Sequence, residues 1–168
     1  MSRHTPSEVV FTLGLPAAGK STIAKAMFGD SHRFLCADTV KASHPDYDPK
    51  NCEDLHSWSK SIIRGQLNGL IESRDLSESV VYERTSLNAF GMVNEMLRLK
   101  GAGFKVSLLF VTCPLSVSLA RNNLRTRQVP EQVIADKAAH ITSVFEQIKF
   151  YASSVQVIDN SEFNQDLA

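Results

Sequence analysis

The segment Gly14-Leu15-Pro16-Ala17-Ala18-Gly19-Lys20-Ser21-Thr22 follows directly on the apolar run VVFTLGL. It constrains the fold more than any other stretch. A buried strand has to end there, turn through a glycine-bearing loop and start a helix. Glycines let the backbone turn tightly and approach a ligand with no Cβ in the way. The N–H groups of such a loop converge as an anion nest. The helix that starts near Gly19 adds its positive end. Lys20 has the reach to contact β- and γ-phosphates, and the Ser21 hydroxyl has the chemistry to ligate Mg²⁺. The spacing Gly14-x-x-x-x-Gly19-Lys20-Ser21 therefore predicts a site for a nucleoside triphosphate, with ATP and Mg²⁺ as cofactors. Its contacts are expected along the whole loop, from Gly14 to Thr22.

With 168 residues, the chain suits one domain over 1–168. Eighteen basic residues balance 18 acidic ones, so no global field draws in nucleic acid. Any such partner needs a local basic strip. The three cysteines are odd in number and lack C-x-x-C spacing. They read as reduced core thiols in a cytosol-like compartment, with no cysteine metal site. No apolar run approaches membrane-spanning length, and the opening MSRHTPSE lacks the apolar stretch of a secretion signal. A cytoplasmic protein without a membrane partner is expected.

Apolar runs at 9–15, 33–37, 79–83, 105–112 and 154–159 read as strands. Helical spacing is found over 20–28, 51–74, 88–100, 114–124 and from about 131 to 151. Asn88 is a cap for the third of these, and Gly101 and Gly103 end it. Residues 38–50 carry two prolines and read as a loop or a short irregular helix. Strands alternating with helices predict an α/β fold with a doubly wound, parallel five-stranded sheet. The expected strand order is the kinase-like 2-3-1-4-5, with ligands at the C-terminal strand edge.

A phosphotransferase also has to orient an acceptor and neutralise the phosphoryl in flight. Asp38 follows strand two, at that ligand edge, where a carboxylate could take a proton from an acceptor hydroxyl. An Asp after a strand also serves as a helix cap. Glu83 ends strand three and is the candidate for the magnesium-associated carboxylate, alongside Ser21. Its plainer alternative is a strand-end pair with Arg84. Arg121, Arg125 and Arg127 cluster around RTRQVP. Guanidinium groups bind phosphate bidentately, and a mobile stretch near 121–130 would act as a lid over ATP. Arg121 and Arg125 are assigned to ATP, and Arg127 to the acceptor. Lys41, Glu83 and Thr85 are further candidates on the acceptor side, although Lys41 reads as a surface lysine. Trp58 has apolar neighbours and reads as core.

Together these pieces resemble the polynucleotide-kinase-like and zeta-toxin-like P-loop kinases over nearly the whole chain. GLPAAGKST is similar to the phosphate loop of both groups. LARNNLRTRQVPEQVI resembles the lid and following helix of the polynucleotide-kinase-like proteins, which makes Arg125 the lid arginine. ADTVKASHPDYD resembles the zeta toxins. Both likenesses imply a catalytic base at Asp38 and a basic residue at Lys41. In YERTSLN the chain departs from both groups, because Arg84 stands where an Asp or a Gly is expected. The resemblance then implies that Glu83, or Ser21 with water, holds the metal.

Three readings stay open. The first is an ATP-dependent kinase acting on a hydroxyl of a polynucleotide or nucleotide, either a 5′-OH or a hydroxymethyl-modified base. The second is a zeta-toxin-like kinase of a nucleotide sugar such as UDP-N-acetylglucosamine. The third is a non-catalytic nucleotide-binding module.

Overall fold

The computed structural model describes residues 7–51, 53–84 and 86–162. Its elements alternate as β1 (Glu8–Leu13), α1 (Lys20–Phe28), β2 (His32–Cys36), α2 (Ala37–Ala42), α3 (His56–Ser73), β3 (Ser79–Glu83), α4 (Ala89–Gly101), β4 (Lys105–Thr112), α5 (Leu115–Asn123), α6 (Glu131–Ile148) and β5 (Ser154–Asp159). Short 3₁₀ turns precede α3 and follow α6. All strand pairs are parallel, in the order β2-β3-β1-β4-β5. This is the expected doubly wound sheet.

The central strands explain the topology. Val9, Val10, Phe11 and Leu13 of β1 are buried, as are Val80 and Val81 of β3 and Val106, Leu108, Leu109 and Val111 of β4. Side chains of a strand alternate between faces, so burial of consecutive residues means that both faces are covered. That is the environment of a parallel sheet flanked by helices. At the edge, β5 is mostly exposed. Ile134, Ile141, Val144 and Ile148 form the buried stripe of α6.

Parallel pairing brings the C-terminal ends of the strands to one edge. Glu83 lies opposite Thr12 of β1 and Cys36 of β2. The loop after Leu13 and the helix after Cys36 thus start beside the end of β3.

Several boundaries differ from expectation. Residues 37–42 form a regular helix, α2, with Cys36 as its N-cap, so Asp38 sits in the first turn and is not the cap. The two prolines, at 45 and 49, lie beyond this helix and do not interrupt it. α3 begins at His56, later than the spacing implied. Asn88 does cap α4, its side chain accepting from the Gly91 N–H at 3.1 Å. Trp58 is not core: it is half exposed and meets the His44 ring edge-on at 4.7 Å.

Candidate active site

Two glycines set the conformation of the loop between β1 and α1. Gly19 has φ 93°, and a Cβ there would lie 2.4 Å from Asn160 Nδ2. At Gly14 a Cβ would lie 2.6 Å from the Val111 carbonyl oxygen. Both positions exclude a side chain. Ala17 also takes a left-handed conformation, with φ 57°. The loop carbonyls are tied to the rest of the molecule. Ser118 Oγ donates to Pro16 O at 2.6 Å, and Asn160 Nδ2 to Ala18 O at 2.8 Å. Arg121 donates to Ala18 O at 3.3 Å and also to the carbonyls of Asn160 and Glu162. Arg121 therefore braces the loop against the chain after β5.

Lys20 Nζ folds over the loop and donates to Gly14 O at 2.9 Å and Leu15 O at 2.7 Å. Its pKa is lowered to about 8, first by burial and then by Lys137 and Arg125, against the pull of Glu83 and Cys113. Although the residue as a whole is only half-buried, its ammonium is enclosed by carbonyls and neighbouring cations. Such a group gains from an incoming anion.

Ser21, in the first turn of α1, donates from Oγ to Glu83 Oε2 at 2.7 Å. Glu83 is buried. Arg84 does not compete for it. Its Nε lies 3.3 Å from Glu95 Oε2, and its Nη1 donates to Asn88 O at 3.2 Å, so its guanidinium is engaged with α4. Burial pushes the Glu95 carboxyl upward, and Arg84 and Arg64 oppose that rise.

Asp38 is half exposed. Arg127 Nη1 approaches its Oδ1 at 2.6 Å and Lys41 Nζ at 3.8 Å. The sequence reads Lys41 as a surface lysine, yet its side chain is 3% exposed. A short helix packed on α3 buries the lysine stem and leaves the ammonium beside the carboxylate three residues earlier. Arg125 is exposed, and its charge is among those that depress Lys20. Thr85 lies outside the described residues.

Besides Ser118, which holds Pro16 O, two contributors carry no signal in the sequence. Asn122 is buried and closes both ends of the arginine-bearing loop: Nδ2 donates to Val129 O and Oδ1 accepts from the Val129 N–H, each at 2.9 Å. Lys137 of α6 lies in the field of Lys60 and Asp38, and acts in turn on Lys20. Its own pKa is lowered by burial and by Lys60. A lysine in an amphipathic helix gives no sequence signal that separates it from a solvated one. The structure thus gathers Lys20, Ser21, Glu83, Asp38, Lys41, Arg125, Arg127 and Lys137 around one strand edge.

A family model described as AAA domain (AAA_33) matches residues 9–148. No curated protein matches the chain. Among solved structures, one from the PezAT chromosomal toxin-antitoxin system of Streptococcus pneumoniae is 17% identical with a TM-score of 0.69, covering 100% of this chain and 71% of that one. A chain of the AvrRxo1-ORF1:-ORF2 structure with ATP is 17% identical with a TM-score of 0.71, over 94% of this chain and 56% of that one. Shikimate kinase from Bacteroides thetaiotaomicron is 16% identical with a TM-score of 0.57, over 94% and 90%. At these identities the likeness is one of fold, and the fold is that of P-loop kinases. The family match spans the phosphate loop, Asp38, Glu83 and the arginine-bearing loop together, and the chain belongs to the AAA domain family AAA_33.

Proposed function

We propose that the protein is an ATP-dependent kinase that transfers the γ-phosphoryl group to an alcohol hydroxyl, on a polynucleotide or nucleotide. Residues 1–168 act in it as one kinase domain, with a lid near 121–130. One observation carries the reading. Asp38, a carboxylate ringed by Arg127 and Lys41, stands at the same strand edge as the Lys20 loop and the Ser21–Glu83 pair. A nucleotide-binding module needs the loop. It does not need a carboxylate with cations facing it.

The residues divide the work as follows. The N–H groups from Gly14 to Thr22 and the Lys20 ammonium bind the triphosphate. Lys20 exchanges its two carbonyl partners for phosphate oxygens. Ser21 and Glu83 fit a magnesium ion: a hydroxyl and one buried carboxylate, 2.7 Å apart, are a donor set that leaves most positions to phosphate and water. Bound there, the ion would neutralise charge on the β- and γ-phosphates. Asp38 accepts the proton of the acceptor hydroxyl as its oxygen bonds to the γ-phosphorus. The bond from that phosphorus to the β,γ-bridging oxygen breaks, and the electron pair leaves with ADP. Arg125 meets the charge on the transferred group. Arg121 holds the loop that receives ATP. Lys41, Arg127 and Thr85 serve the acceptor.

A second reading, a nucleotide-sugar kinase, is favoured by the run from Ala37 to Asp48 and by the zero net charge. Labelled γ-phosphate separates the readings. The protein is offered ATP with DNA and RNA oligonucleotides, hydroxymethylated DNA, nucleosides and UDP-sugars in parallel. The first reading expects label on an oligonucleotide or nucleoside, and the second on a UDP-sugar. ATP binding with no transfer to any alcohol would leave a non-catalytic module.

A further inference from the structure

Thr12 is the polar residue in the otherwise apolar β1 run from Val9 to Leu13, and it is fully buried. Its Oγ1 has no hydrogen-bond partner among the described residues. Glu95 Oε2 is also without a hydrogen bond, but it lies 3.3 Å from Arg84 Nε in an ion pair. The Thr12 hydroxyl is neutral and has no such substitute. Burying a hydroxyl that makes no hydrogen bond costs folding free energy. Packing does not require it. Valine has the same branched shape and fills this strand at positions 9 and 10. The hydroxyl is thus a burden on the free protein, and its use has to lie in another state.

The sheet register points to that state. Residues paired in register on neighbouring parallel strands face the same side, and the strands run about 4.8 Å apart. Thr12 is paired with Glu83 of β3 and with Leu109 of β4. The Leu109 side chain offers no acceptor. Glu83 offers a carboxylate, and on that face its Oε2 meets Ser21 of α1 at 2.7 Å. One hydrogen bond sets the plane of the carboxylate loosely, because the terminal torsion of Glu is broad. A carboxylate that serves a metal ion gains from a second donor that fixes it.

We propose that Thr12 is a positioning residue for the magnesium pair: its hydroxyl donates to Glu83, directly or through one trapped water, when Glu83 faces a bound magnesium ion. The assignment rests on the kinase reading, because it takes Ser21 and Glu83 as that pair.

Melting and magnesium titration of the full chain test it. In EDTA and without nucleotide, Thr12→Val should melt at or above the wild-type temperature, since an orphan hydroxyl gives way to a methyl group. Calorimetry then follows binding of a non-hydrolysable ATP analogue as Mg²⁺ is raised. Thr12→Val should need about tenfold more Mg²⁺ to reach half of the tightening, with affinity in EDTA as in wild type. Thr12→Ser should restore most of the wild-type midpoint. Glu83→Gln should shift that midpoint too. A lowered melting temperature in Thr12→Val with an unmoved midpoint marks the hydroxyl as merely structural and overturns the proposal. So does Thr12→Ser behaving like Thr12→Val. A midpoint moved by Glu83→Gln and not by Thr12→Val strikes Thr12 alone. A wild type whose binding ignores Mg²⁺ overturns the Ser21–Glu83 pair as well as the role of Thr12.

Discussion

Arg127 Nη1 donates to Asp38 Oδ1 at 2.6 Å, across 89 residues of sequence. The arginine belongs to the loop read as a lid, and the carboxylate is the proposed base. An acceptor hydroxyl has to share or displace this bond to reach Asp38. Arg127→Ala should therefore alter the acceptor KM by several-fold and leave ATP affinity near wild type. With an oligonucleotide acceptor it should also flatten the salt dependence, since one phosphate contact is lost. Steady-state kinetics at several salt concentrations check this. An unchanged acceptor KM with weakened ATP would place Arg127 at the nucleotide.

Lys20 gives a prediction in pH. Its pKa in the free protein is about 8, and bound phosphate favours the charged form. Below that pH the ammonium is already protonated, so ATP affinity should be flat. Above it each binding event has to take up a proton, and affinity should fall by up to about tenfold per pH unit. Calorimetry at pH 8.5 in buffers of different ionisation enthalpy should detect that uptake. Lys20→Ala should abolish it and lower transfer by orders of magnitude.

Gly19→Ala should fail for two separable reasons. Its φ of 93° strains a residue with a Cβ, and that Cβ meets Asn160 Nδ2. Backbone strain of this kind costs about 1–3 kcal/mol, to be read as a lowered melting temperature. Adding Asn160→Ala should recover only the part due to the clash. Full recovery by the double variant would show that φ does not matter here.

Arg125→Lys keeps the charge and loses the planar fork. If the contact forms mainly in the transition state, kcat falls while ATP KM stays close to wild type. A variant with full kcat would remove Arg125 from the transfer step.

Much of this was legible in the sequence, for physical reasons that differ by residue. Strands β1, β3 and β4 are buried on both faces, so they appear as unbroken apolar runs. Gly14, Gly19, Lys20 and Ser21 are legible because phosphate binding demands those types at fixed local spacing. The placement of Asp38 and Glu83 follows from the strand ends. Lys41 reads as a surface lysine because its burial depends on how α2 packs on α3, which no local pattern encodes. Asn122, Ser118 and Lys137 are polar residues on amphipathic helices. Only the packed molecule separates them from solvated neighbours, by placing them against the loop and the transfer site. The helix α2 is six residues long, too short for its periodicity to stand out.

Asp38→Asn tests the role of Asp38 as proton acceptor most directly, because it keeps the shape of the side chain and removes the basic oxygen. Single-turnover transfer of labelled γ-phosphate, measured beside equilibrium ATP binding, separates chemistry from binding. Loss of a general base costs about 10²–10⁴ in rate, so transfer should fall by that much with ATP affinity within a few-fold of wild type. Transfer at the wild-type rate, or a collapse of ATP affinity with the rate intact, would contradict it.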